Sequence, residues 1–357
     1  MILKKTQQLK TLFYDFIAYR NHKNTVAENP DKAVLVNFQN PQLYHRFFYL
    51  LLKFYQLAGY TVFYPMSFSM YRNIRNKDRY MALLLHEKNL LNINTENMPE
   101  DIIILKDSMF SADYFKDYFE NDNKTNKSFY VPMSFHPYMY YFQHWNIPVE
   151  EPAQRHHTVF CYGNFDKNAY LEIRKTGFKV ASRTEILEFL KENPNFISVK
   201  SSSEIENKSV ELSGKLVFAM RENYQIDMKD IRPLLSKFNF YLCCPGVVMP
   251  LCHNVVEAMS VGTIPIIEKE YAEVMYPNLE HLKNAIIFND LKELEELLQN
   301  IIFKISQEEI SEMRENSLIY YKEFLTPEGM IKNLNKNISE GRKIYLQAEH
   351  RSVKFKK

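Results

Sequence analysis

A chain of 357 residues exceeds what one ordinary hydrophobic core serves, so two domains of average size are expected. Hydrophobic residues at 46% and charged residues at 25% are near globular averages and exclude a disordered or fibrous chain. The 45 Lys and Arg against 43 Asp and Glu give a formal net charge of +2, too weak a field for a protein that binds DNA or RNA through its phosphates.

In chain order, residues 4–20 place apolar side chains at helical spacing and predict an amphipathic helix. A strand over 32–38 (KAVLVNF), a polar loop at Gln39 to Pro41 and a long helix through Ala58 form the first half of a β-α-β unit. Further strands are predicted at 60–65 (YTVFYP), 80–86 (YMALLLH), 101–106 (DIIILK) and 128–135 (SFYVPMSF). The alternation implies a mainly parallel sheet with helices on both faces. No apolar run is long enough to span a bilayer, since even 47–63 is interrupted by Lys53, Gln56 and Gly59. The opening MILKKTQQLK lacks an apolar signal core, and a cytoplasmic protein is expected.

After Pro137 an aromatic and then polar stretch without regular period predicts an interdomain linker at 146–157. The strand and helix alternation then restarts with TVFCYGN (158–164), helices in DKNAYLEIRKTG and TEILEFLKEN, and strands in NFISVK and KLVFAM. DMKDIRPLLSKF (227–238) reads as a helix and NFYLCC, TIPIIE and AIIFND (285–290) as strands, followed by helices at 292–303 and 306–324. The expected architecture is α/β, with two doubly wound Rossmann-like domains facing across a cleft. They are an N-terminal acceptor domain over 1–145 and a nucleotide-binding domain over 158–325. A helix and basic tail over 326–357 follow, with their return to the first domain left open. Three closely spaced glycines and a loop ending in Gly-Lys-Ser/Thr are both absent, which removes the sequence support for a dinucleotide fold or a P-loop. Cys161, Cys243, Cys244 and Cys252 lack zinc-site spacing and read as buried thiols.

Residues 240–268, FYLCCPGVVMPLCHNVVEAMSVGTIPIIE, read as strand, loop, short helix and strand. On a helix over 252–260, at about 100° per residue, His253, Asn254, Glu257 and Ser260 share one arc and Val255, Val256 and Met259 the other. The apolar arc is expected on the sheet and the polar arc facing away from it. The helix would open at the carboxyl end of a strand, where doubly wound sheets bind ligands and free backbone N–H groups favour an anion. Glu257 would lie about 6 Å along the axis from His253, which suits a phosphate at the helix start and a sugar diol donating to the carboxylate one turn on. The plainer alternative is that Glu257 pairs with a lysine and His253 caps the helix.

The stretch CCPGVVMPLCHNVVEAMSVGTIPIIE resembles the donor-binding signature of GT-B glycosyltransferases, especially the exostosin-like branch. The resemblance covers about thirty residues well, runs more weakly from Thr158 to Asp290, and is only architectural before that. It implies that the second domain binds a nucleotide sugar, that Gly246 belongs to the donor loop and that Glu257 holds the ribose. It also implies chemistry that needs no metal ion and no cofactor, in agreement with the lack of any Asp-x-Asp pair. Many retaining members carry another Glu where this chain has Met249, so inversion is preferred.

Gly163 and Asn164 end the first strand of the second domain and are expected either to approach the ligand or to form a plain turn. Arg183 and Arg221 are the candidate clamps for a diphosphate, Arg221 favoured because it directly follows a strand. From the first domain, His136 is the candidate general base, since an imidazole titrates near neutrality; Glu87 and Asp107 are further candidates. The tail from Gly341 holds six Lys or Arg against one Glu, and together with the basic start of the chain suits either anionic lipid or a solvated, frayed end. The expected activity is transfer of a sugar from a nucleotide-sugar donor to a glycan or lipid-linked saccharide acceptor, for surface polysaccharide synthesis. The rivals are a non-catalytic binding protein, a sugar-nucleotide epimerase or hydrolase, and, less supported, a dehydrogenase.

Overall fold

The apolar run Ala33–Asn37 (β1) forms the centre of a parallel sheet, with Thr61–Phe63 (β2) on one side and Ile103–Lys106 (β3) on the other. The computed structural model describes residues 2–120, 127–207 and 211–356. They divide into two units, the first made of residues 2–114, 127–131 and 330–352 and the second of 115–120, 132–329 and 353–356.

In the first unit the helix Arg46–Leu57 follows β1 and buries every side chain from Phe47 to Tyr55. Among them is Lys53, 4% exposed, which pairs with Glu87, and Glu87 also accepts from the Tyr49 hydroxyl at 2.9 Å. A buried ammonium is tolerable only with such a partner. The strand predicted at 80–86 is instead a turn and the short helix Leu83–His86. Asp78 Oδ1 accepts from the Tyr80 and Met81 backbone N–H groups at 2.9 and 2.8 Å and starts the turn. Met81, Leu83 and Leu84 are buried all the same, and burial is all that a short apolar run announces. The strand predicted over 128–135 is confined to Ser128–Tyr130 (β5), in a different sheet from β1, together with Phe110–Ser111 (β4).

The second unit is built on six parallel strands: His156–Gly163 (β6), Phe196–Val199 (β7), Leu216–Met220 (β8), Phe238–Leu242 (β9), Ile264–Glu268 (β10) and Ile286–Phe288 (β11). Their order across the sheet is β11-β10-β9-β6-β8-β7. Phe240, Leu242, Ile264, Ile266 and Ile286 are all at most 1% exposed, as expected for strands covered on both faces. The chain leaves β6 towards one edge through β7 and β8, then crosses to β9 on the other side of β6. The topological switch point is therefore the pair β6/β9, where a doubly wound sheet opens a crevice at its carboxyl ends.

The stretch expected as a linker is fastened to this second unit. Arg232 Nη1 donates to Ile147 O at 2.7 Å, and Arg155, 8% exposed, donates to Val261 O at 2.7 Å and Thr263 Oγ1 at 3.2 Å. Near the end of the chain Lys343–Tyr345 (β12) lies between β4 and β5, parallel to both, with Tyr345 stacked on Tyr130 at 4.8 Å. The final residues lie on the second unit: Gly177 N donates to Lys354 O at 3.0 Å and Lys356 N to Lys175 O at 2.7 Å. Lys354 also pairs with Glu120 at 3.0 Å and Lys356 Nζ reaches Arg174 O at 3.2 Å, so these tail lysines have protein partners. Among the described residues no helix is long and apolar enough to cross a membrane.

Candidate functional site at the β6/β9 switch point

Two loops meet at the carboxyl ends of β6 and β9. The first begins with Gly163 and turns at Asn164, whose Oδ1 accepts from the Asp166 N–H at 2.9 Å. The second runs from Cys243 to Cys252 and closes on itself, Gly246 N donating to Pro250 O at 3.1 Å. A Cβ at Gly246 would sit 2.8 Å from Met249 O, so the position demands glycine for close packing of backbone on backbone.

The helix His253–Met259 follows this loop. Its expected exposed polar arc is covered: Asn254 through Met259 are all buried, beneath the neighbouring helices Ile231–Leu235 and Gln307–Tyr320. The buried groups must then find partners. Asn254 Nδ2 donates to Cys244 O at 2.7 Å, and its Oδ1 lies 3.0 Å from the Tyr271 hydroxyl, which accepts from Cys252 N–H at 2.8 Å. Both ends of the Asn254 amide are thus engaged within the protein, pinning the loop to the helix.

Arg183 enters from the other side. The sequence Ser-Arg-Thr-Glu makes a capping box, Ser182 with Glu185, that starts the helix Arg183–Leu190 and sets Arg183 in its first turn. Its guanidinium is buried, donating to Pro245 O at 3.2 Å and Asn164 O at 3.4 Å, and touches Cys252 Sγ at 3.6 Å. It lies over the Tyr170 ring at 4.3 Å. Gly163 makes room for it, since a Cβ there would stand 2.5 Å from Arg183 Nη1. One cation therefore joins both loops. Arg221, the favoured clamp on sequence, is exposed; its backbone N–H donates to Gly163 O at 2.9 Å.

Glu257 is 9% exposed, and among the described residues its carboxylate accepts no hydrogen bond. Burial pushes its carboxyl up to about 8, against the opposing pull of the Arg183 charge. An acid held this way offers acceptor capacity that the fold leaves unused.

His253 and His136 meet edge to face, ring centres 5.8 Å apart. His136 thus belongs to the second unit, not to the first as expected. It caps the helix Pro137–Tyr141, its Nδ1 accepting from Tyr138 N at 3.3 Å. One ring nitrogen of the residue expected as general base is thus engaged in capping its own helix. Glu87 is held by Lys53 and Tyr49, and Asp107 accepts from Gln39 N at 2.6 Å.

Three contributors escaped the sequence reading. Tyr170 and Tyr271 carry no local signature, because their roles depend on what the fold brings to their rings. Glu268 ends β10, accepts from Ala181 N at 2.7 Å and is pushed up to about 7, chiefly by burial. Its position at a strand end was the one available signal. Among the described residues no group of three or more His, Cys, Asp or Glu is arranged to hold a metal ion.

No protein-family model matches the chain, and no curated protein matches it. Solved structures similar to it include Alr3699/HepE of Anabaena in complex with UDP, at 10% identity over 87% of this chain and 100% of that one, with a TM-score of 0.39. A glycosyltransferase of Rickettsia africae gives 9% identity over 87% of this chain and 99% of that one, TM-score 0.41. Sucrose-phosphate synthase of Thermosynechococcus elongatus gives 12% over 86% and 73%, TM-score 0.37. At scores this low the site's own residues carry the functional reading.

Proposed function

We propose that the β6/β9 site binds a nucleotide sugar and that the protein transfers its sugar to a hydroxyl of a glycan or lipid-linked saccharide, as GT-B glycosyltransferases of the exostosin-like branch do. The observation that carries the reading is Glu257, a buried carboxylate without a hydrogen-bonding partner among the described residues, on the helix behind a loop pinned by a buried arginine. The two hydroxyls of a ribose supply the donors it lacks. Arg183 offers the diphosphate a fixed positive charge that grows in value as the leaving group forms.

Met249 in place of a further Glu favours inversion, with the first unit as the candidate acceptor domain and surface polysaccharide as the product class. The test is calorimetry and thermal shift with UDP-, GDP-, CMP- and ADP-sugars, UDP first because the HepE structure names it. Selective stabilisation by one nucleotide class, lost in Glu257→Ala, is expected. Release of the free nucleotide, a diphosphate from UDP-, GDP- or ADP-sugars and CMP from CMP-sugars, only when acceptor is present identifies a transferase; release without acceptor identifies a hydrolase, and no binding in any class overturns the reading.

A further inference from the structure

The helix Ile2–Asn24 lies in the first unit, and one of its faces is firmly seated. Asp15, 2% exposed, accepts from Arg72 at 3.2 Å and pairs with Arg75 at 3.3 Å. Tyr19 OH donates to Met66 O and His22 Nε2 meets Leu91 O, both at 3.0 Å. The opposite face is apolar and open: Leu9 is 65% exposed, Leu12 37%, Phe13 62%, Phe16 43% and Ile17 39%. Their spacing is i, i+3, i+4, i+7 and i+8, which aligns them in a single stripe. Isolated exposed apolar residues are ordinary, but an unbroken stripe marks an interaction surface.

Charge decides what covers it. Lys10, Arg20 and Lys23 are exposed and have no carboxylate partner among the described residues. Asp15 is the helix's single acid, and it is neutralised on the seated side. The open face therefore combines apolar bulk with unopposed positive charge. A second copy packed by two-fold symmetry would set those cations against one another. The surface of an anionic bilayer matches both properties, taking the apolar stripe below its headgroups and the cations at their level.

We propose that the open face of the helix Ile2–Asn24 docks the protein on anionic phospholipid bilayers. The proposal does not rest on the nucleotide-sugar reading, and the melting temperature serves as its fold control. Sedimentation of the full chain with vesicles of phosphatidylcholine, alone or mixed with phosphatidylglycerol, should show binding to the mixed vesicles that weakens in high salt. The double variant L9E/F13E should lose that binding at least about tenfold, as removal of two buried apolar side chains predicts, with the melting temperature unchanged. Should that variant fold poorly, K10Q/R20Q keeps the stripe and should lose the preference for phosphatidylglycerol. Failure of the parent to sediment with mixed vesicles, equal binding to both compositions, or lipid-free dimers abolished by L9E/F13E would each overturn the proposal.

Discussion

The helix His253–Met259 carries a histidine, an amide and a carboxylate yet is buried along nearly its whole length, whereas Ile2–Asn24 holds a stripe of five large apolar side chains in solvent. Polarity and burial are inverted between them. A periodic pattern reveals which residues share a face; what covers that face is a tertiary fact. In the short helix, covering a polar arc produced one satisfied amide, Asn254, and one acid with unused acceptor capacity, Glu257.

The sharpest test of that contrast is pH. The carboxyl of Glu257 is near 8 in the folded chain and near 4.3 when unfolded, so the folded state prefers it protonated. Its contribution to stability is complete below the unfolded value and is lost as pH rises through about 8. Urea denaturation at pH 6 and 9 should show Glu257→Gln gaining on the parent at the higher pH, by about 3 kcal/mol, the two pH units from 6 to 8 at about 1.36 kcal/mol each. Equal pH slopes in the two proteins would mean that the acid is not buried as described.

Next in size is ligand affinity. Glu257→Ala should weaken nucleotide binding about tenfold, given about 0.5–1.5 kcal/mol for each of two ribose hydrogen bonds to an acid that is mostly protonated at pH 7; unchanged affinity by calorimetry in a folded variant removes the ribose role. Gly163→Ala sets a Cβ against Arg183 Nη1 and must shift the buried guanidinium that holds Pro245 O and Asn164 O. It should therefore cost about 1–3 kcal/mol of stability in thermal denaturation and lower nucleotide affinity severalfold. Tyr271→Phe removes one hydroxyl from the loop pin and should reduce stability by about 1 kcal/mol in thermal denaturation.

Much of the second unit was legible because its strands are fully covered, and continuous apolar runs between glycine turns announce such strands. The helix at 253–259 could be read from local residues alone, whereas the capping box beside Arg183, though equally local, went unread. Arg221 outranked Arg183 on sequence because following a strand looks more promising than opening a helix. Burial reversed that order, for Gly163 leaves the space Arg183 fills. The run at 80–86 was misread because local hydrogen bonds from Asp78, not hydrophobicity, choose turn over strand there. His136 was assigned to the wrong unit because chain position says nothing of which core a segment joins.

The placement of β12 between β4 and β5 bears on how the chain is made. A ribosome releases both outer strands more than two hundred residues before the one that separates them, so each must wait with an unpaired edge. Any shortened chain that stops ahead of Lys343 would keep those edges open for good and invite aggregation, even with the six-stranded sheet intact.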